Sequence, residues 1–352
     1  MPDAAGANRE APVVTLLVAM RNEADNIVAC LESIKAQDYP EALIEILVFD
    51  GNSTDPSREI AERTLGHRPR ASVRPNPRQT QAAAWNIGIE AAAGDVIGIV
   101  SGHSILAPDY VRAAIEVLRR TGAEMVGGPV RAIATGSVGE AIALAGSTSF
   151  GVGGASFHYL EEEQDVDTVY MGLSPRDVYR RFRFDEEMVR NQDDELSYRL
   201  LDSGLRIVCS PLIRSAYRSR GTLPGLWKQY FAYGSWKVRV MQKHPAQVRL
   251  RHIVPTTFVC SLIVGAAAAL AWRPAALLPV GVLAAYGIAM ARAIATIRPQ
   301  PRSSVLPWLP PAYLTAHAAY GLGVLAGLIR HRHWEHGSLR LMLTQLVARA
   351  RN

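Results

Sequence analysis

The chain carries four clusters of polar side chains whose types and spacing suit ligand binding and proton transfer. In the first cluster, Arg21 and Glu23 follow one short apolar run, and Asp50 and Asp55 follow the next. Carboxylates accept hydrogen bonds from a nucleobase edge and from ribose hydroxyls. Because no glycine-rich phosphate loop follows either run, we expect nucleoside contacts here rather than a dinucleotide site. The alternative is that Asp55 only caps the next helix and Asp50 only makes a turn.

The second cluster is Ser101-Gly102-His103, which comes directly after a third apolar run. A divalent metal at such a position would neutralise the charge of a diphosphate. Magnesium prefers oxygen ligands, whereas imidazole suits softer metals. His103 is therefore a candidate manganese ligand, and the alternative is a structural histidine.

The third cluster is Asn191-Gln192-Asp193-Asp194-Glu195, at the start of a predicted helix. A carboxylate that faces an active site can remove the proton of an attacking hydroxyl. The alternative is that all three acids only stabilise the helix dipole.

The fourth cluster mixes aromatic and basic residues between positions 228 and 237, including Gln229, Tyr233, Trp236 and Lys237. Such a mixture suits an amphipathic helix at a membrane surface, or a clamp for the diphosphate of an acceptor. Interfacial anchoring alone is the alternative.

Alternating apolar runs and helical patterns must position these clusters. Residues 10–220 predict strands at 13–20, 44–49, 96–100, 125–127 and 207–209, and helices at 79–92, 109–121 and 194–203. Such alternation predicts an α/β domain with a mostly parallel sheet, which binds ligands at the carboxyl ends of its strands. Residues 134–165, rich in Gly, Ala and Ser and then acidic, predict a mobile insertion or an acceptor-side loop.

Three long segments without Asp, Glu, Lys or Arg follow, at 253–272, 275–291 and 305–329. Each approaches the roughly 20 apolar residues that cross a bilayer. The alternative is a set of core helices in a soluble domain. The polar first twelve residues do not form a signal peptide, so we expect the catalytic half to remain in the cytoplasm.

The net charge of +6 comes from basic residues that cluster on either side of these segments. Such flanking charge favours contact with membrane lipids at the cytoplasmic leaflet. No recognition motif accompanies the charge, so we expect no binding of nucleic acid. The three cysteines have neither metal nor disulfide spacing.

Six stretches in register resemble glycosyltransferase family 2, with a GT-A fold, and most closely its bacterial exopolysaccharide enzymes of the succinoglycan type. The stretches are VAMRNEADNIVACLESI, EILVFDGNSTD, NPRQTQAAAWNIGIEAAAGDVIGIVSGHSILAPDYV, VDTVYMGLSPRDVY, NQDDELSYRLLDSG and QYFAYGSWKVRVMQKHP. They cover about residues 12–245. The resemblance implies a Rossmann-like nucleotide-diphospho-sugar transferase domain followed by C-terminal transmembrane helices.

The resemblance also implies an inverting transfer from a nucleotide-diphosphate sugar. It places the catalytic base at Asp193 and a divalent metal, Mn²⁺ or Mg²⁺, at His103. The implied donor contacts are Arg21, Glu23, Asp50, Asn52, Arg78, Asn86, Ser101 and Gly102. The implied acceptor or diphosphate contacts are Gln192, Gln229, Tyr233, Trp236 and Lys237.

Two positions depart from the family pattern. The metal-binding Asp-x-Asp, or Asp-x-His in closer relatives, reads Ser101-Gly102-His103 here, so a serine replaces the first metal-binding carboxylate. The usual Glu-Asp pair reads Gln192-Asp193, which keeps the base.

The expected organisation is a catalytic domain at 12–221, an amphipathic interface segment at 222–252 and a membrane domain of about three helices at 253–329. A flexible N-terminus (1–11) and a basic tail (330–352) flank them. We expect a multi-pass protein of the bacterial inner membrane, with a cytoplasmic catalytic domain and a lipid-linked saccharide acceptor. Three spans would place the basic tail outside the cytoplasm, against the positive-inside preference. Either one of the last two segments is re-entrant, or the preference fails here.

Several other functions compete with this one. A polyprenyl-monophosphate sugar synthase would share the fold and location, but its phosphate acceptor needs no strong base. A processive synthase is disfavoured, because the Gln-x-x-Arg-Trp motif and a span before residue 253 are both missing. A donor-binding protein without turnover and a non-catalytic membrane scaffold are the remaining alternatives.

Overall fold

The structure is a computed structural model that describes residues 11–153, 160–297, 300–332, 341, 342 and 344. The expected flexible N-terminus lies outside the described residues except for Ala11, and most of the expected basic tail lies outside them too. The chain divides into two compact units, Met1–Gly127 with Met171–Phe184, and Gly128–Tyr170 with Asp185–Asn352.

The described residues form the following strands and helices, numbered in chain order. The strands are β1 (Val14–Met20), β2 (Ile44–Asp50), β3 (Ala71–Pro75), β4 (Val96–Ser101), β5 (Ser104–Leu106), β6 (Met125–Gly127), β7 (Val130–Ile133), β8 (Gln164–Asp165), β9 (Leu173–Pro175), β10 (Ile207–Cys209) and β11 (Ser215–Arg218). The helices are α1 (Ile27–Lys35), α2 (Ser57–Leu65), α3 (Gln81–Ala91), α4 (Tyr110–Thr121), α5 (Gly136–Ala145), α6 (Ser149–Val152), α7 (Arg176–Phe182), α8 (Gln192–Asp202), α9 (Leu223–Lys243), α10 (Val254–Ala271), α11 (Leu277–Thr296) and α12 (Leu309–Arg330).

A mixed, mostly parallel sheet organises the first unit, in the strand order β3-β2-β1-β4-β9-β6. Strands β3, β2, β1 and β4 run parallel, and β9 pairs antiparallel with β4 and β6. All seven residues of β1 are buried, as expected for a central strand covered on both faces. The register pairs Met20 with Asp50, so β1 and β2 end side by side.

Helices with one apolar face cover this sheet. Helix α1 buries Ile27, Cys30, Leu31 and Ile34, which recur at helical spacing. Helix α3 packs closely on β1 and β2, because a Cβ at Gly88 would lie 2.7–2.9 Å from atoms of Leu17 and Phe49. The sheet and helices predicted for this part of the chain are confirmed, with ends within two residues of the predicted ones.

The second unit combines short strands with the C-terminal helices. Strand β7 pairs parallel with β11, and β8 pairs antiparallel with β10. The loop predicted at 134–165 instead begins with α5 and α6, and residues 154–159 lie outside the described residues. These helices were missed because their Ala- and Gly-rich sequence has few charges to mark a solvent face.

Three C-terminal helices are long and apolar enough to cross a membrane: Val254–Ala271, Arg273–Thr296 and Leu306–Arg330. They differ in how far the protein covers them. The most apolar window is 11% buried in the first, 0% in the second and 44% in the third. The predicted C-terminal apolar helices are thus present, and the third is the most enclosed.

Candidate active site

The loops after β1 and β2 form one hydrogen-bonded structure at the edge of the first unit's sheet. The side-chain oxygen of Asn22 accepts from the backbone N–H of Thr54 at 2.8 Å, and the N–H of Asn22 donates to Ser53 Oγ at 3.0 Å. Asn22 and Asn52 both have positive φ values, 53° and 59°. Such backbone conformations are costly outside glycine and cluster at functional sites. Hydrogen bonds within the chain therefore hold these two loops in position at the edge of the sheet.

Asp50 and Asp55 behave differently within these loops. Asp50 is buried, and its Oδ1 accepts from Ser53 through both Oγ (2.5 Å) and the backbone N–H (3.2 Å). Asp55 accepts from the backbone N–H groups of Ala24 and Ser57. Burial raises the pKa of Asp55, but the hydrogen bond from the Ser57 hydroxyl, together with these backbone bonds, holds that pKa below its usual range. Asp55 thus joins the loop after β1 to the start of α2.

The side chains of Glu23 and His103, eighty residues apart in sequence, meet at this edge. Glu23 Oε1 lies 2.9 Å from His103 Nδ1, and Glu23 Oε2 accepts from Asn26 Nδ2 at 2.8 Å. An ionised carboxylate can only accept, so the geometry favours a proton on Nδ1 and leaves the Nε2 lone pair for a ligand. Glu23 thus positions His103 and also holds Asn26. Its expected contact with the donor stays a prediction.

The residues between β4 and β5 are closely packed. Ser101 is buried, and its Oγ accepts from Gln81 Nε2 at 3.4 Å. A Cβ at Gly102 would lie 3.1 Å from Met20 Cβ and 3.3 Å from Glu23 Cγ. A glycine at position 102 therefore gives Glu23 the space to reach His103.

The donor set at this position fits a divalent metal only in part. Among the described residues, no three His, Cys, Asp or Glu side chains come together as a metal site. Magnesium in phosphate sites is usually held by one or two carboxylates together with substrate oxygens. Ser101 replaces the first of these carboxylates, and Glu23 is already bonded. The residues fit a metal that takes one protein ligand, His103 Nε2, and its other ligands from the donor phosphates.

Two asparagines and two arginines among the predicted donor contacts differ in their exposure. Asn86 donates from Nδ2 to the carbonyl of Phe184 and accepts at Oδ1 from the N–H of Phe184, both at 2.9 Å. Its amide thereby holds the backbone of Phe184, and the donor contact expected of Asn86 stays a prediction. Arg78 is exposed, as are Arg21 and Asn52.

Asn76 is a residue that sequence reasoning missed. It follows β3, its backbone N–H donates to the carbonyl of Asp50 at 2.8 Å, and its side chain is buried. Its Oδ1 has no hydrogen-bond partner within the described part of the chain. Buried amide oxygens are rarely left unpaired, so Asn76 is a candidate acceptor for a ligand N–H. The only sequence signal was an asparagine directly after a strand.

In the second unit, Asp193 lies in the first turn of α8. The helix begins after Asn191, whose φ is 59° and whose Nδ2 donates to the backbone carbonyl of Tyr233 at 3.0 Å. Burial, and then the neighbouring Asp194 carboxylate, raises the pKa of Asp193 to about 6. The Lys237 ammonium acts in the opposite direction. A carboxylate with this pKa is well matched to accept a proton near neutral pH.

Lys237 and Asp194 form an ion pair that joins α9 to α8. Lys237 is buried beside Asp194, and its expected role in a diphosphate clamp stays a prediction. Further along α8, Glu195 bonds to Arg199 at 2.8 Å and to His244 at 3.2 Å. Although burial acts the other way, these bonds hold the pKa of Glu195 below its usual range.

The remaining predicted acceptor contacts differ in how far they are buried and in what they contact. Trp236 stacks near His331 at 5.4 Å, and the Arg330 guanidinium lies 5.3 Å from its ring, so Trp236 connects α9 to the end of α12. Gln192 is buried at the head of α8. Gln229 and Tyr233 are half-buried one turn apart, and Gln229 Nε2 donates to the Tyr233 hydroxyl at 3.0 Å.

Comparisons with known proteins agree with this architecture. The family model described as "Glycosyl transferase family 2" matches residues 15–165. The succinoglycan biosynthesis protein ExoA of Rhizobium meliloti is 29% identical over 337 residues, 93% of this chain and 94% of that protein. A dolichyl N-acetyl-α-D-glucosaminyl phosphate 3-β-D-2,3-diacetamido-2,3-dideoxy-β-D-glucuronosyltransferase of Methanococcus voltae is 29% identical, over 65% of this chain and 74% of that protein.

A solved structure shows the fold. The mannosyltransferase PcManGT of Pyrobaculum calidifontis, in complex with GDP-Man and Mn²⁺, has a TM-score of 0.56 and 19% identity, covering 89% of this chain and 88% of that one. The first unit's sheet is therefore that of a GT-A fold. Residues 15–165 match the glycosyltransferase family 2 model, in a chain that is similar to a succinoglycan-biosynthesis protein over nearly its whole length.

Proposed function

We propose that this glycosyltransferase moves a sugar from a nucleoside-diphosphate donor to a lipid-linked saccharide, with inversion at the anomeric carbon. The observation that carries the proposal is Asp193, whose environment raises its pKa to about 6 at the head of α8. Relatives named for succinoglycan biosynthesis and for transfer to a dolichyl-phosphate saccharide support the substrate classes.

The proposed reaction is a single displacement. The Asp193 carboxylate removes the proton from an acceptor hydroxyl, and the resulting oxygen forms the new bond to the anomeric carbon. The bond between that carbon and the diphosphate oxygen breaks, and the nucleoside diphosphate leaves. General-base assistance of this kind contributes about 10²–10⁴-fold. Attack opposite the leaving group inverts the configuration.

The donor nucleoside is assigned to the loops after β1, β2 and β3. Asp50 Oδ1 is held by Ser53, which orients the carboxylate, and Asn76 Oδ1 still needs a donor. Both are acceptors and therefore suit the N–H groups of a nucleobase or the hydroxyls of a ribose. Arg21, Asn52 and Arg78 are exposed nearby in sequence and are assigned to the outer part of the donor.

His103 is assigned to the diphosphate, with Glu23 as its positioning residue. A carboxylate behind a metal-binding histidine fixes the ring and raises its basicity. When bound, a divalent ion would neutralise charge on the leaving diphosphate. The fold relative with Mn²⁺ supports manganese as the ion to test first.

We place the protein in a bacterial inner membrane, with its catalytic residues in the cytoplasm. Nucleotide sugars are cytoplasmic, and the long apolar helices would hold the enzyme beside a lipid-linked acceptor. An acceptor that is soluble and used equally well would contradict this part of the proposal.

One experiment tests the identity of the donor, the identity of the acceptor and the configuration of the new linkage. Purified protein is incubated with UDP- and GDP-sugars, with Mn²⁺ or Mg²⁺, and with either polyprenyl-diphosphate saccharides or polyprenyl monophosphate. We expect an elongated lipid-linked saccharide whose new linkage is inverted, as read by NMR. Transfer only to polyprenyl monophosphate would favour the synthase alternative, and donor binding without any transfer would refute the enzymatic proposal.

A further inference from the structure

We propose that only α10 and α11 cross the membrane, as a hairpin, and that α12 docks along α9 on the catalytic side. The bilayer-spanning surface of the chain is then this hairpin alone. The chain beyond Arg330 lies on the same side as Asp193. The inference is independent of the sugar chemistry, because it concerns only which helices lie in lipid.

The first support is the close contact between α12 and α9. A Cβ at Gly323 would lie 2.2 Å from the carbonyl oxygen of Phe231, and one at Gly327 would lie 2.5 Å from that of Ser235. Further along, Arg330 lies over the ring of Trp236. The two helices therefore run side by side, with backbone touching backbone where glycines allow it.

The second support is the polar character of α9. It carries Lys228, Lys237, Arg239 and Lys243, and Lys237 is paired with Asp194 of α8. Lys243 also pairs with Asp185. A spanning α12 would take this charged helix and its acidic partners into the hydrocarbon, where Lys and Arg are costly. Helix α12 therefore stays with α9 outside the bilayer core.

The third support is the environment of the first half of α12. Leu309, Ala312 and Tyr313 pack in one cluster with Ala141 and Ile142 of α5. His317 Nε2 lies 3.0 Å from the backbone carbonyl of Phe150, and the Tyr313 hydroxyl lies 2.9 Å from Thr148 Oγ1. Helices α5 and α6 precede α8 in the chain and are not candidate spans. The second half of α11 also contacts this region, where the Tyr286 hydroxyl lies 2.9 Å from His317 Nδ1 and Met290 and Ile294 pack against the cluster.

In contrast to α12, helices α10 and α11 of the hairpin bury few residues within the protein. Helix α11 buries no residue, and α10 buries only Val259 and Gly265. At the tip, Leu270 is 92% exposed and Leu277 is 75% exposed. Apolar surface of this kind, on two helices about 27 and 30 Å long by their 1.5 Å rise per residue, is matched by the hydrocarbon of a bilayer.

A short contact marks where α12 crosses the hairpin. A Cβ at Gly321 would lie 2.5 Å from the carbonyl oxygen of Pro255, in the first turn of α10. Helix α12 thus meets α10 at its base. With two spans, Arg330 and Arg332 lie on the cytoplasmic side, which agrees with the positive-inside preference.

Cysteine labelling with a membrane-impermeant maleimide tests this topology in spheroplasts and in inside-out vesicles. The variants are Pro274→Cys, at the turn between α10 and α11, Arg332→Cys, after α12, and Glu62→Cys, an exposed position on α2. The unaltered chain is the blank, because its cysteines are buried or lie within α10.

We expect Pro274→Cys to react in spheroplasts, and Arg332→Cys and Glu62→Cys to react only in inside-out vesicles. Reaction of Arg332→Cys in spheroplasts, at the rate of Pro274→Cys, would overturn the inference. So would protection of Pro274→Cys in spheroplasts. A fusion to the C-terminus of the unaltered chain needs no substitution: GFP should fluoresce there and alkaline phosphatase should be inactive, and the reverse pattern would refute the inference.

Discussion

Replacing Asp193 by Asn should remove sugar transfer while it makes the protein more stable. The carboxylate is held where its charge is unfavourable, because burial and the neighbouring Asp194 raise its pKa from 3.8 to about 6. Asn keeps the shape and loses both the charge and the basicity. We expect transfer to fall by about 10²–10⁴-fold, the usual contribution of a general base.

The stability change follows from the same pKa. A rise from 3.8 to about 6 corresponds to a folded-state penalty of up to about 3 kcal/mol when the group is ionised. Because the folded protein holds the proton more tightly than the unfolded chain, the penalty is absent below about pH 4, grows between 4 and 6, and is complete above 6. The Asp193→Asn variant should therefore gain Tm relative to the unaltered protein only as the pH rises through this window.

The assays are thermal unfolding in detergent from pH 4 to 8, and transfer kinetics over the same range. In the unaltered protein kcat/KM should fall on the acid side with a midpoint near pH 6, so that about a tenth of the plateau remains at pH 5. The matched control is Asp177→Asn, an exposed acid in the first turn of α7. It should keep activity and lose at most about 1 kcal/mol of helix-dipole stabilisation.

Two results would refute this reasoning. Transfer by Asp193→Asn within about threefold of the unaltered rate would exclude the base assignment, since general-base assistance is larger than that. A Tm difference that is negative, or that does not change with pH, would show that Asp193 is not held in an unfavourable environment.

Three further predictions concern the donor edge and the C-terminal helices. Glu23→Ala should weaken Mn²⁺ binding in the presence of nucleoside diphosphate by about 10–100-fold, measured by EPR, because His103 loses its partner, and Glu23→Gln should restore part of it. Asp50→Asn should raise the donor KM by about tenfold or more while kcat changes little, as expected for a lost charge-assisted hydrogen bond; an unchanged KM would remove Asp50 from the donor site. Gly327→Ala should lower Tm through its clash with α9, whereas Gly281→Ala, which meets open space, should be neutral or slightly stabilising; equal effects would contradict the docking of α12.

The sheet of the first unit was predictable because its strands are buried on both faces. Such strands are continuous apolar runs, and the runs of β1, β2 and β4 stop within one residue of the end of each strand. The polar residues that follow these runs, such as Asp50 and His103, are therefore assigned to one edge of the sheet by the sequence alone. A local sequence pattern is sufficient to predict a strand when the pattern itself shows which faces of the strand are buried.

Other features could not be predicted because their partners are distant in sequence. Helices α5 and α6 are stabilised by Leu309 and Tyr313, more than 150 residues later in the chain. Glu23 and His103 were each assigned a ligand, although they bond to one another. Charge and spacing alone do not show that the polar atoms of a side chain already have hydrogen-bond partners within the protein.

The position of the proposed base depends on helices that composition alone would assign to the membrane. Asp193 is tuned by Asp194, whose charge is compensated by Lys237 of α9. Helix α9 is in turn held by backbone contact with α12 at glycines such as Gly327. Because an added methyl group at this contact would displace α9, it should also move Lys237 and shift the acid limb of the kcat/KM profile to higher pH, as Asp194 loses its counter-charge. A Gly327→Ala variant that folds, with an unchanged pH profile, would show that the C-terminal helices only anchor the enzyme.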